Sequence, residues 1–126
     1  MKERAAGIEQ SVLARLKTAA VSRGQSFELM LTYYGMERFL YRLSQTEECK
    51  DFVLKGGLLM MTWPHRVLRA TRDIDLRVYL PSDQEAIRIL FQRVSSIEVP
   101  FDGIRFNPDT VELEAISEQA NYEGIR

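Results

Sequence analysis

The stretch from Phe52 to Leu80 constrains this chain more than any other. An apolar run, Phe52-Val53-Leu54, meets Lys55-Gly56-Gly57 at once, and sixteen residues after Gly57 comes Asp73-Ile74-Asp75-Leu76, preceded by Arg69 and Thr71. The pattern predicts a short strand, a glycine turn that opens a helix, and a second strand carrying two aspartates. Successive strand side chains point to opposite faces. Asp73, Asp75, Arg77 and Tyr79 therefore form a mostly polar face, and Ile74, Leu76, Val78 and Leu80 an apolar one. That alternation is expected of a strand half-buried on a core.

Two carboxylates on one strand face stand about 7 Å apart at their Cα atoms. Bare, they repel and raise each other's pKa. A hard divalent cation relieves that repulsion, and Mg²⁺ favours a site of one or two carboxylates completed by substrate phosphates. Two such ions clamp the attacking and leaving oxygens of a phosphoryl displacement. Gly56 and Gly57 supply the complementary half: backbone N–H groups at a helix start, with no Cβ to block approach, suit a triphosphate. Lys55, Arg69 and Thr71 are secondary candidates for phosphate contact. Arg69 and Thr71 share sequence parity with the aspartates, so a strand extended that far back would line all four on one face.

Leu54-Lys55-Gly56-Gly57 followed by Arg69-Ala70-Thr71-Arg72-Asp73-Ile74-Asp75-Leu76 resembles the AbiEii-type nucleotidyltransferase toxins of type IV toxin–antitoxin (abortive-infection) systems, in the polymerase-β-like nucleotidyltransferase superfamily. Glu37-Arg38-Phe39-Leu40-Tyr41-Arg42-Leu43 and Tyr122-Glu123-Gly124-Ile125-Arg126 extend the likeness over most of the chain. The resemblance implies an α+β fold with a polymerase-β-like core: a small mixed sheet with two amino-terminal helices packed on it. It also implies metal-dependent transfer of a nucleoside monophosphate from an NTP to a hydroxyl. Asp73 and Asp75 would be the catalytic residues and hold Mg²⁺ or Mn²⁺; Gly56, Gly57, Lys55, Arg69 and Thr71 would bind the nucleotide. The implied acceptor is RNA, such as a tRNA end, and the implied partner a cognate antitoxin. Resembling family members continue past the Tyr-x-Gly-x-Arg segment into a strand with a third acidic residue, so this chain is expected to be an amino-terminal fragment, inactive alone and prone to self-association.

Three other readings stay open. A haloacid-dehalogenase-like phosphatase also uses Asp-x-Asp, but its first aspartate ends a long apolar strand, whereas Arg69-Ala70-Thr71-Arg72 stands here. A non-catalytic remnant that binds a partner would lack the third carboxylate. A nucleotidyltransferase-fold antitoxin would neutralise a toxin by protein–protein binding.

At 126 residues a single domain is expected, with a helical part over 1–50 and a sheet-bearing catalytic part over 51–126. Hydrophobic residues make up 45% and charged ones 28%, with a formal charge of −1, so overall charge draws the chain to no polyanion. The distribution is uneven: residues 55–80 hold five Lys/Arg against two Asp, whereas residues 81–126 hold four against nine acidic residues. A basic patch thus surrounds the proposed site. Cys49 is the sole cysteine, which excludes an internal disulfide and disfavours zinc. The sequence has neither a signal peptide nor a run of membrane length, which points to the cytoplasm and away from a membrane partner.

The flanking segments are predicted as follows. Ile8, Val12, Leu16 and Ala19 make a helical stripe over 3–22, stopped near Gly24; a second helix runs from Phe27 to Leu43 with Ser26 as its N-cap. Arg38 and Arg42 share a face of it, read as solvated rather than reaching for phosphate. Leu58 to Met61 with Trp63 reads as a short buried helix ended by Pro64, with His65 in the following loop. Ser82 and Glu85 fit a capping box before the stripe Ile87, Leu90, Phe91 and Val94. Residues 101–116 read as a hairpin turning at Asn107-Pro108-Asp109, with Glu112 and Glu114 on its outer face, and 118–121 as a polar turn. Tyr122 to Arg126 reads as a strand whose neighbour is missing.

Overall fold

In the computed structural model, residues 2–64, 69–79, 83–117 and 123–126 are described. The helical expectations hold. Helix α1 spans Lys2–Arg23 and α2 spans Phe27–Ser44. Gly24 adopts φ +61° and the Gln25 N–H donates back to the Ala20 carbonyl at 3.0 Å, which closes α1 as a left-handed glycine cap. Ser26 caps α2 by accepting from the Leu29 N–H at 3.1 Å. A 3₁₀ turn, Glu47–Asp51, leads into β1, Phe52–Lys55, and helix α3, Gly56–Met60, begins at the next residue.

Strand β2 covers Asp75–Val78 and pairs antiparallel with β1, Phe52 opposite Val78 and Lys55 opposite Asp75. It begins two residues later than the sequence pattern places it, so Asp73 precedes the ladder. The alternation survives that shift: Asp73, Asp75, Arg77 and Tyr79 are exposed, and Ile74, Leu76 and Val78 half-buried. Helix α4, Gln84–Ser95, is capped by Asp83, whose carboxylate accepts from the Ala86 N–H at 2.7 Å. Asp83 holds the position assigned above to Ser82, which lies outside the described residues.

The expected hairpin over 101–116 does not form. Asn107 caps a 3₁₀ turn, Pro108–Thr110, its side-chain oxygen accepting from the Asp109 N–H at 2.9 Å, and the chain leaves that turn without reversing onto 101–106. Strand β3, Ala115–Ser117, instead pairs antiparallel with β4, Glu123–Ile125. Glu114 and Arg126 exchange both backbone hydrogen bonds at 2.8 Å and extend that ladder. The carboxy-terminal strand therefore has a neighbour, contrary to expectation. The polar turn placed at 118–121 lies outside the described residues. The architecture is α+β, and both ladders among the described residues are antiparallel, so only the antiparallel part of the expected mixed sheet is seen.

Leu43, Leu90 and Val94 form the buried centre, with Phe39, Leu40, Phe52, Leu76 and Phe91 packed around it. Phe39 meets Phe91 and Phe106 edge-on, at ring separations of 5.9 and 5.4 Å. Helices α2 and α4 thus hold the inner face of the β1–β2 ladder through Phe52 and Leu76, which turns its other face outward. Helix α3 is less buried than expected: Leu58 to Met60 are half-buried, and Met61 and Trp63 are exposed. Five residues give it too narrow a stripe to sink into the core.

Candidate functional site

The outward face of the β1–β2 ladder carries Asp75, which the glycine turn abuts, and Asp73 lies just before the ladder. Gly56 adopts φ +71°, a conformation glycine reaches without penalty. A Cβ added there would lie 2.5 Å from Asp75 Oδ2 and 3.2 Å from its Cγ, so the bare backbone of Gly56 abuts the Asp75 carboxylate. Gly57 abuts Thr71 in the same way: its Cβ would stand 3.2 Å from both Thr71 Cβ and Oγ1. The left-handed residue is Gly56, while Gly57 serves close approach.

Residues 71–74 form no strand, so Arg69, Thr71, Asp73 and Asp75 do not line one extended strand. Thr71 reaches the site by another route. It is half-buried against Gly57, and its hydroxyl donates to the Asp73 carbonyl at 3.4 Å, tying down the approach to the first aspartate. Arg69 is exposed beside this segment, and Lys55, the residue before the turn, stands opposite Asp75 across the ladder. The structure therefore joins Lys55, Gly56, Gly57, Thr71 and Asp75 at one edge, with Asp73 two residues upstream.

Among the described residues, neither the Asp73 nor the Asp75 side chain makes an ion pair or hydrogen bond. Nor is any group of three His, Cys, Asp or Glu placed there to hold a metal ion. Glu112 and Glu114 are exposed on the 111–116 segment. A donor set for a hard cation would thus be two exposed carboxylates beside the glycine turn. This fits an ion that completes its shell with water and phosphate oxygens. His65 lies outside the described residues.

A second charged cluster was not legible as such. Asp102 accepts from Arg38 Nε at 2.7 Å and from Arg42 at 3.0 and 3.2 Å, and the Ile104 N–H adds a further bond at 3.3 Å. Arg42 is 4% exposed, lies over the Phe106 ring and also donates to the Ile104 carbonyl. Burial pushes the Asp102 carboxyl upward, but the bonds from Arg42 and Arg38 outweigh it and hold the group below its ordinary value. The Tyr34 hydroxyl, donating to the Asp102 carbonyl at 2.5 Å, is raised by burial and by the Asp102 charge. The arginines expected on a solvated face instead clamp the 101–106 segment onto α2. Their flanking residues Phe39, Leu40 and Leu43 were the available sign that this face turns inward. A groove of about 310 Å³ beside the clamp, lined by Val12, Leu16, Leu31, Tyr34 and Ile104 among others, contains none of the proposed site residues.

A family model described as nucleotidyl transferase AbiEii toxin, type IV TA system, matches residues 38–126. The chain belongs to the AbiEii family. The match takes in both elements of the site, the glycine turn and the Asp-x-Asp segment, together with Arg38, Arg42 and Asp102. No curated protein and no solved structure matches the chain. The family is one of nucleotidyl transferase toxins of type IV toxin–antitoxin systems, which implies an antitoxin partner, and no described helix is long and apolar enough to cross a membrane. The phosphatase geometry is not met either, because Asp73 and Asp75 stand before and at the start of β2 rather than at the end of an apolar strand.

Proposed function

We propose that this edge transfers a nucleoside monophosphate from an NTP to a hydroxyl of an RNA acceptor, such as a tRNA end, as the toxin partner of a cytoplasmic antitoxin system. The observation that carries the reading is the close packing of Gly56 on Asp75: an exposed glycine at a helix start lies directly against a carboxylate that has no polar partner among the described residues. Asp73 and Asp75 hold Mg²⁺ or Mn²⁺, which when bound neutralises charge developing on the transferring phosphoryl group. Gly56 and Gly57 admit the triphosphate to backbone distance. Lys55 and Arg69 contribute positive charge to it, and Thr71 fixes the segment leading into Asp73.

The test reads metal binding and chemistry separately. Mn²⁺ binding by electron paramagnetic resonance is measured on the parent, Asp73→Asn and Asp75→Asn, beside labelled-NTP transfer to total RNA and circular dichroism. Both variants are expected to fold, to lose Mn²⁺ affinity at least tenfold and to abolish any transfer the parent shows. Parent-like Mn²⁺ affinity in both would sink the assignment of the carboxylates.

A further inference from the structure

The face of β2 that carries Asp75 does not end with it. Two residues beyond Asp75 stands Arg77, and Tyr79 follows the strand's last residue, Val78; all three are exposed. Tyr79 is 60% exposed although its backbone is fixed, its N–H donating to the Asp51 carbonyl at 2.8 Å. The Arg77 guanidinium lies 5.1 Å from the Tyr79 ring centroid. Val53, opposite Arg77 across the ladder, is 48% exposed, so the surface beside the pair is apolar and open.

We propose that Arg77 and Tyr79 form a stacking platform that seats an unpaired base of a single-stranded RNA acceptor, on the reading that the adjacent edge is a nucleotidyltransferase site. An exposed aromatic ring with a neighbouring arginine is the arrangement that binds single strands without sequence preference: the ring stacks a base and the cation meets the backbone. Tyr79 lies about 14 Å along the strand from Asp75. The stacked base is therefore one held back from the reacting hydroxyl, which lies at the carboxylates. Charge sets the polarity of the seat. Asp51 stands at the far end beside Tyr79, whereas Arg77 leads toward Lys55, so the phosphates run on the Arg77 side. A protein partner could also use an exposed tyrosine, but continuing the exposed face that begins at Asp75 favours the acceptor.

The experiment measures binding of a fluorescein-labelled eight-nucleotide single-stranded oligoribonucleotide by anisotropy, at low salt, without NTP or divalent ion. Tyr79→Ala is expected to weaken binding roughly tenfold, Tyr79→Phe to retain it, and Arg77→Ala to weaken it and flatten its salt dependence. Parent-like binding by Tyr79→Ala, or a parent that does not bind the oligonucleotide, overturns the proposal. A photo-crosslink from 4-thiouridine to the parent is expected in the segment 77–79; a crosslink confined to another surface also overturns it, whether or not Tyr79→Ala folds. Because no nucleotide or metal is present, failure of the platform is distinct from failure of the transfer reaction.

Discussion

Asp102 and Asp75 are placed in opposite ways by the same fold. Asp102 is held by two arginines and a backbone N–H against α2, and its charge is matched within the protein. Asp75 stands on an exposed strand face with a glycine backbone beside it and no polar side-chain partner among the described residues. A carboxylate satisfied internally stabilises one arrangement of the chain. A carboxylate left to water retains its acceptor sites for a ligand, at little cost while it stays exposed. The molecule thus separates a clamp that fixes the 101–106 segment from an exposed edge whose Asp75 carboxylate is left to water.

The largest expected effect breaks the clamp. Asp102→Ala strips a buried guanidinium of its counter-ion, and loss of one partner of a buried pair costs about 3–5 kcal/mol. A urea titration should show that loss, and Asp102→Leu combined with Arg42→Met should recover part of it, because the more deeply buried guanidinium is then removed and only Arg38, the more exposed of the two, is left without its partner. Mn²⁺ affinity of the folded fraction should be unchanged in both. A metal-binding defect in folded Asp102→Ala would show that clamp and edge are not separate.

The next effect joins stability and binding at one atom. Gly56→Ala places a Cβ 2.5 Å from Asp75 Oδ2 at a backbone with φ +71°. Strain of this kind costs about 1–3 kcal/mol, and the carboxylate must move. Thermal melting and Mn²⁺ binding are both expected to fall. Gly7→Ala is the control: its Cβ meets nothing within 4 Å inside α1, so stability should rise by up to about 1 kcal/mol with metal affinity unchanged.

These two sites were unequally legible in the sequence, and the reason is range. Ser26, Gly24, the Gly56-Gly57 turn and the alternation from Asp73 to Tyr79 act through neighbours a few residues away, so local chemistry fixes them. The Arg42–Asp102 contact spans sixty residues. Spacing put Arg38 and Arg42 on one face but could not say that Asp102 would come to meet them. The same limit misplaced the hairpin. An alternating pattern over 111–116 tells which side chains share a face, not which strand lies alongside, and the partner proved to be 123–125 rather than 101–106. The contact of Gly56 with Asp75 lay between these cases: the motif named both residues, and only the antiparallel register of β1 on β2 brought them together.

The smallest stability effect is expected at Asp75, and pH separates it from Asp102. The Asp102 pKa is lowered in the folded state. Its stabilisation is therefore complete above the unfolded carboxyl value, about pH 4, and is lost as pH falls through the lower folded value. Asp102→Asn removes that dependence: the variant is less stable than the parent at neutral pH, and the gap narrows in acid. Asp75→Asn has no polar partner to lose among the described residues, so its unfolding free energy at neutral pH should stay within about 0.5 kcal/mol of the parent. Urea titrations at pH 7, 5 and 3 on the three proteins compare the curves directly. A gap for Asp102→Asn that stays constant into acid would show that the carboxylate's charge contributes nothing to the clamp. One that opens for Asp75→Asn at neutral pH would show that the exposed aspartate is held by the fold after all.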